Sequence, residues 1–234
     1  MRRLVPIAFV AAALFPAIAQ AETRTFDLPP FDRIDVSAGI RAEIVVGGDQ
    51  SVRIDTDSGT FQDIEVAVRN GRLVLGLDRG FFNSLLELFS PGSDVVAYVS
   101  VPVLNEIDAS SGALVEADAM SGEFLSLNSS SGAQISVSEI TGDEVRVSSS
   151  SGASIDASGA CGRLDADTSS GAHLELERLQ CDAVGVDASS GASATVFAVV
   201  SIDLQASSGG SVDVAGKPGD ITVNTSSGGS VAFD

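Results

Sequence analysis

Apolar and polar residues alternate along most of this chain, and from residue 105 onward the alternation recurs in phase. Seven glycines, Gly112, Gly132, Gly152, Gly171, Gly191, Gly209 and Gly228, each close a Ser-Ser-Gly tripeptide and stand 18 to 20 residues apart. The position five before each glycine holds Ile107, Leu127, Val147, Ala166, Val186, Leu204 or Val223, all apolar. The position four before holds Asp108, Asn128, Ser148, Asp167, Asp187, Gln205 or Asn224, all polar. Apolar residues return three and five after the glycine, as in Val115 and Ala117, Ile135 and Val137, and Leu174 and Leu176. A period of two is that of a β-strand rather than a helix, and a fixed short period marks a repeat architecture. Each unit predicts two short strands meeting at the Ser-Ser-Gly corner, with a second bend near Thr141-Gly142-Asp143 or Lys217-Pro218-Gly219-Asp220. Twenty residues cannot bury an apolar face alone, whereas copies stacked at the ~4.8 Å strand spacing form a continuous core. The predicted fold class is all-β, a parallel β-helix of about seven coils.

The corner repeats too regularly to be a reactive site. Its glycine supplies a positive φ at no Cβ cost. Continuing the strand parity through the corner places the second serine (Ser111, Ser131, Ser151, Ser170, Ser190, Ser208, Ser227) on the inward side, where stacked hydroxyls would bond along the column. A nucleophilic serine is the competing reading, but seven identical corners cannot all be active sites. The single imidazole, His173, is expected on the outer face. Structural geometry is the preferred role of these serines and glycines, and no catalytic residue is assigned.

Residues 22–104 alternate without the tripeptide. Ile34 to Val46 reads as two strands around Ser37-Ala38-Gly39-Ile40, a degenerate corner. Ser51 to Thr56, Ile64 to Val68, Arg72 to Leu77 and Val95 to Val101 read as further strands, with turns at Gly47-Gly48-Asp49 and Asn70-Gly71. This N-terminal β region is expected to continue or cap the solenoid formed by residues 105–234, since terminal repeats are commonly irregular. One stretch interrupts it. Phe81, Phe82, Leu85, Leu86, Leu88 and Phe89 fit a short amphipathic helix, either plugging the solenoid end or forming an exposed patch for a partner.

Charge and the first residues narrow the setting. Arg2 and Arg3, an apolar stretch from Leu4 to Ile18 and the small-x-small Ala19-Gln20-Ala21 predict a signal peptide over 1–21, shorter than the ~20 apolar residues of a membrane span. Removing it leaves 11 basic against 32 acidic side chains, a net charge of −21. Nucleic acid and anionic membrane are therefore excluded as partners. Cys161 and Cys181 each lie ten residues before the next repeat glycine, hence one above the other in adjacent coils. Export to an oxidising compartment then favours a disulfide over two buried thiols or a soft-metal site.

The segments "FDRIDVSAGIRAEIVVGGDQSVRID" and "VRNGRLVLGL", the strand Ala97 to Pro102 and the recurrent "DASSGA" together resemble the head GIN domain family, exported bacterial proteins described as autotransporter adhesins. The resemblance runs from about Phe26 onward. It implies a β-helical protein that is periplasmic or surface-associated. No autotransporter barrel is legible in the sequence.

Function is less legible than fold. Asp165, Asp167 and, one coil above, Asp187 make an acidic outer face, as does Glu175 beside His173. A calcium ion or a basic partner would relieve their repulsion, but the Gly-Gly-x-Gly-x-Asp repeat of calcium-binding β-rolls is missing, so a solvated face and no metal or cofactor are expected. The enzymatic alternative is a β-helix polysaccharide-processing enzyme drawing on Arg146, Arg163 and Arg178 with Asp165 or Asp167. Long cleft-walling loops and sugar-stacking aromatics are not apparent in the coils. The expected function is thus a non-enzymatic, adhesin-like binding or structural module, periplasmic or at the cell surface. Its expected partners are an envelope glycan or protein, with self-association through the solenoid ends.

Overall fold

The computed structural model describes residues 22–56, 61, 64–77 and 95–234. The leader at 1–21 and the patch from Phe81 to Phe89 lie outside the described residues. Among the described residues seventeen strands form one hydrogen-bonded sheet wound as a solenoid. The seven Ser-Ser-Gly corners bound about six full turns, slightly fewer than the seven coils the repeat count suggests. Among the described residues no helix is long and apolar enough to cross a membrane.

The corner sets the winding. Ser111 and Gly112 have φ of 53° and 74°, and the amide of Ala113 donates to the carbonyl of Ser110 at 3.2 Å, the signature of a type I′ turn. The same pair of positive φ values recurs at all seven corners, and at Ala38 (61°) and Gly39 (73°) in the degenerate corner. Successive corners are stitched together: the amide of Gly132 donates to the carbonyl of Ser151 at 3.1 Å, and that of Ser130 to Ala109 at 3.0 Å. The expected inward direction of the second serine is wrong. Ser111, Ser131, Ser151, Ser170, Ser190, Ser208 and Ser227 are all exposed, because a left-handed residue at the apex of such a turn projects away from the chain it joins. The inward positions are those on either side of the turn, such as Ser129 with Ala133 and Ser149 with Ala153.

On each side of the corners runs a parallel ladder. The first pair of strands to stack is β2 (Arg33–Val36) with β8 (Glu106–Ala109), and β3 (Arg41–Val46) with β9 (Leu114–Ala117). Above them come β10 (Met120–Ser129), which follows β9 into the next corner, and then β11 (Gln134–Ser149), β12 (Ser154–Thr168), β13 (His173–Ala188) and β14 (Ser193–Ala206), each running from one corner to the next. Then follow β15 (Ser211–Gly216), β16 (Asp220–Thr225) and β17 (Ser230–Phe233). The predicted second bend at Thr141-Gly142-Asp143 is not a turn. β11 passes through it with only a register irregularity between Val137 and Ile140. Gly159 is needed at the matching point of β12, where its φ is 130° and a Cβ would come within 2.1 Å of the Ile140 carbonyl oxygen. A true break occurs at Lys217-Pro218-Gly219, between β15 and β16.

The apolar columns form one core. Leu127, Val147, Ile155 and Leu176 are fully buried, and Val186 is buried above them. At ~1.5–3 kcal/mol per buried aliphatic side chain, each interior coil owes its order to the coils on both sides. In the coil of β16 and β17, Val223 and Phe233 are 40% and 45% exposed. Cys161 and Cys181 pair in register and are joined by a disulfide with Cα atoms 4.5 Å apart.

The N-terminal strands pair into the same sheet. β5 (Ile64–Arg69) and β6 (Arg72–Leu77) form a hairpin through Asn70-Gly71, with φ of 52° and 74°, and β6 pairs parallel with β2. β7 (Val95–Val101) pairs parallel with β3 on one edge. Its other edge is antiparallel to β4 (Ser51–Thr56), which in turn meets β1 (Glu22–Phe26). The spatial order therefore departs from chain order. The first coil, β2–β3, is wedged between the later β6–β7 pair and β8–β9. The segment 102–105 carries the chain past it, anchored by buried Leu104 and by the Asn105 amide bond to Asp32.

Candidate functional site

The strands that lead into the corners place two outward columns side by side. One runs through Asp35, Asp108, Asn128, Ser148, Asp167 and Asp187. The other runs through Arg33, Glu106, Ser126, Arg146, Asp165, Gly185 and Asp203. Shallow hollows lie along these strands, among them one of about 540 Å³ beside the corner serines, one of about 350 Å³ and one of about 240 Å³. Their positions follow from side-chain size. The 350 Å³ hollow opens at Gly185, between Asp165 and Asp203. The 240 Å³ hollow opens at Ser126, between Glu106 and Arg146.

Most charges on this face are answered. Arg72 reaches across from β6 to Glu106 at 2.8 Å and also pairs with Asp108. Asn128 donates to Asp108 at 2.8 Å, Arg163 pairs with Asp165 at 2.7 Å, and Arg146 with Glu144 at 3.3 Å. The hydrogen bond to Asp165, together with its charge, raises the Arg163 guanidinium above its ordinary value. Two carboxyls are less well served. Burial pushes Asp35 up against the opposing pull of Arg72, helped by Glu106 and Glu65. Partial burial, then the neighbouring Asp167 and Asp203, push Asp187 up.

Of the residues singled out in the sequence, Asp165, Asp167 and Asp187 do come together, with Arg146 and Arg163 beside them. Arg178 does not join them. It pairs with Asp156 at 2.7 Å on the strands that follow the corners. His173 and Glu175 also lie on that second face, where the His173 Nδ1 and Ser193 Oγ are 2.7 Å apart. Among the described residues no three His, Cys, Asp or Glu side chains are grouped to hold a metal ion. The corner serines contribute differently from expectation: Ser110, Ser130, Ser150, Ser169 and Ser189, each the first serine of its pair, line the 540 Å³ hollow.

The sequence reading overlooked Phe124, which is 63% exposed at the edge of the 240 Å³ hollow. The signal was present. Its partners one and two coils above are Glu144 and Arg163, so an aromatic ring interrupts a charged column.

The chain belongs to the family described as "Putative auto-transporter adhesin, head GIN domain", whose match covers residues 30–218. Among curated proteins no sequence matches it. Solved structures share its fold. A protein of Bacteroides fragilis titled a putative adhesin superposes with a TM-score of 0.79 at 19% identity, over 92% of this chain and 97% of that one. A Parabacteroides distasonis protein titled a putative lipid binding protein gives 0.70 at 14% identity, over 92% and 96%. A Parabacteroides merdae protein titled a putative adhesin gives 0.70 at 14% identity, over the same shares.

Proposed function

We propose that this chain is an exported, adhesin-like binding module of the cell envelope, which holds a partner on the face leading into the corners and does not turn it over. The observation that carries the reading is that hollows of about 540, 350 and 240 Å³ line up along one set of parallel strands, whose outward side chains are spaced by the ladder at ~4.8 Å. A rigid array of this kind suits an extended partner. The family description supports adhesion, and the leader-like pattern over 1–21 supports export.

The enzymatic alternative finds less support. Carboxylate pairs that cleave glycosides combine a general acid of raised pKa with a second carboxylate across the bond. Here Asp165 is neutralised by Arg163, and Arg178 serves Asp156 on another face. The test uses the chain from Glu22 onward, presented to purified envelope fractions, with retention and release of soluble sugar measured together. Retention without release is expected, and Asp167→Lys with Asp187→Lys should abolish it while Glu175→Lys on the second face leaves it intact. Sugar release, or equal retention by all variants, refutes the proposal.

A further inference from the structure

We infer that the hollow at Ser126 is a binding subsite for a neutral pyranose ring of a glycan, with Phe124 as the stacking platform. This rests on the binding-face reading above and names its ligand. Three observations lead to it. The first is shape: about 240 Å³ lies just below the range of pockets for drug-sized ligands and fits a single-ring group. The second is the ring itself. Phe124 stands on the outer side of β10, 63% exposed and lining the hollow, where Glu144 and Arg163 occupy the same column above it. An exposed aromatic face offers an apolar surface to the C–H side of a sugar.

The third is charge. The hollow is lined by Arg33 and Arg146 and by Glu106 and Glu144, two cations against two anions, in a protein whose charge is otherwise strongly negative. A balanced rim favours neither an anionic nor a cationic ligand. The polar groups are also held in place. Arg72 fixes Glu106 from below at 2.8 Å, Glu144 holds Arg146 at 3.3 Å, and the Asn105 amide donates to Asp32 at 3.0 Å. Donors and acceptors around an aromatic wall are complementary to hydroxyls around a pyranose, because each hydroxyl both gives and accepts a hydrogen bond. Acidic, phosphorylated and purely apolar ligands lack that match. The Gly185 hollow lies three strands farther along the same column, on the order of 14 Å away, so a glycan chain running along the ladder reaches both.

The experiment titrates the chain from Glu22 onward with neutral oligosaccharides, the cello-, malto-, xylo- and chito- series of one to four units, by calorimetry and by aromatic NMR shifts. At least one series is expected to bind, with affinity rising with length and with the Phe124 ring resonances moving. Phe124→Ala should weaken binding about tenfold, Phe124→Tyr should retain it, and both should melt with the parent because the ring is exposed. Two outcomes overturn the inference: no saturable binding by the parent to any series, or binding that Phe124→Ala leaves unchanged. In either case envelope retention that is still lost in the Asp167→Lys and Asp187→Lys variant leaves the binding face standing with a protein or charged partner. Retention unaffected by that variant removes the face itself.

Discussion

The corner can be tested at one coil by opposing substitutions. Ser151 and Gly152 occupy left-handed backbone with φ of 54° and 70°. A Cβ added at Gly152 would meet nothing within 4 Å, so Gly152→Ala adds no clash and carries the conformational cost of an L-residue there, about 1–2 kcal/mol, less the roughly 0.5–1 kcal/mol that a stiffer unfolded chain returns. Ser151 already carries that cost. Ser151→Gly relieves it but returns about 0.5–1 kcal/mol through the greater freedom of glycine in the unfolded chain, for a net gain of roughly 0–1.5 kcal/mol. Ser151→Asn, which tolerates the same conformation, should be close to neutral. Thermal melting followed by far-UV circular dichroism resolves this, since 1 kcal/mol shifts a chain of this size by about 2–4 °C. Had the second serines formed an inward hydroxyl column, the signs would reverse: Ser151→Gly would break a buried bond and destabilise. A fall in melting temperature for Ser151→Gly, or a rise for Gly152→Ala, refutes the account of the corner as backbone geometry.

Three further predictions concern the interior and the acidic face. Replacing both Cys161 and Cys181 with Ala should cost about 3 kcal/mol, the chain-entropy value for their separation of 20 residues; an unchanged melting temperature after reduction of the native chain would count against the clamp. In the column beside the corners, Ser129 Oγ donates to the Ala133 carbonyl at 3.0 Å, whereas Ser149 Oγ and Thr168 Oγ1 are buried and unpartnered. Ser129→Ala should therefore destabilise by ~0.5–1 kcal/mol while Ser149→Ala and Thr168→Val stabilise by ~1 kcal/mol, and denaturant titration that gives all three the same sign would contradict the assignment. Asp187 is raised by burial and by its acidic neighbours, so the folded state binds its proton more tightly than the unfolded chain does. Its ionised form opposes folding fully above the raised folded pKa, and that penalty fades as pH falls through it and is gone below the ordinary carboxylate value. Asp187→Asn should raise the melting temperature at neutral pH and reduce the gain seen on acidification; identical pH profiles for parent and variant would contradict this.

The repeat was legible because inward positions must be apolar in every coil. Val147, Val186 and the cysteine pair follow from counting alone. The second serine was misjudged because parity assumes an extended chain, and two consecutive left-handed residues break that assumption while leaving the flanking alanines inward. The wedged first coil could not be read for a different reason. Ser37-Ala38-Gly39-Ile40 is recognisable as a corner, but nothing local in it says that β6 and β7, later in the chain, will lie beneath it. That placement depends on pairings between residues such as Ile34 and Leu73. The acidic face was visible as composition, whereas Arg72, which neutralises Glu106 and Asp108 from β6 across the intervening β2, was not. The hollow at Phe124 is a departure from the pattern of the coils, so periodicity does not mark it.

A solenoid separates the residues that fold from those free to act. Each coil serves as an internal reference for the next. The inward columns and the Ser-Gly turns repeat because every coil must bury the same stripe and bend at the same place. Outward positions on the incoming strands carry no such demand, and there the coils differ: Phe124, Glu144 and Arg163 succeed one another in one column, Ser126, Arg146 and Asp165 in the next. A change at these positions alters the surface and scarcely the core, since surface substitutions usually fall within about 0.5 kcal/mol. Ligand selectivity in such a chain is therefore set by where small or aromatic residues interrupt a charged column. Filling the hollow, as Ser126→Arg would, should block a ligand without loosening the stack. Unfolding by that substitution would mean that the outer columns also hold the solenoid together, and the separation argued here would fail.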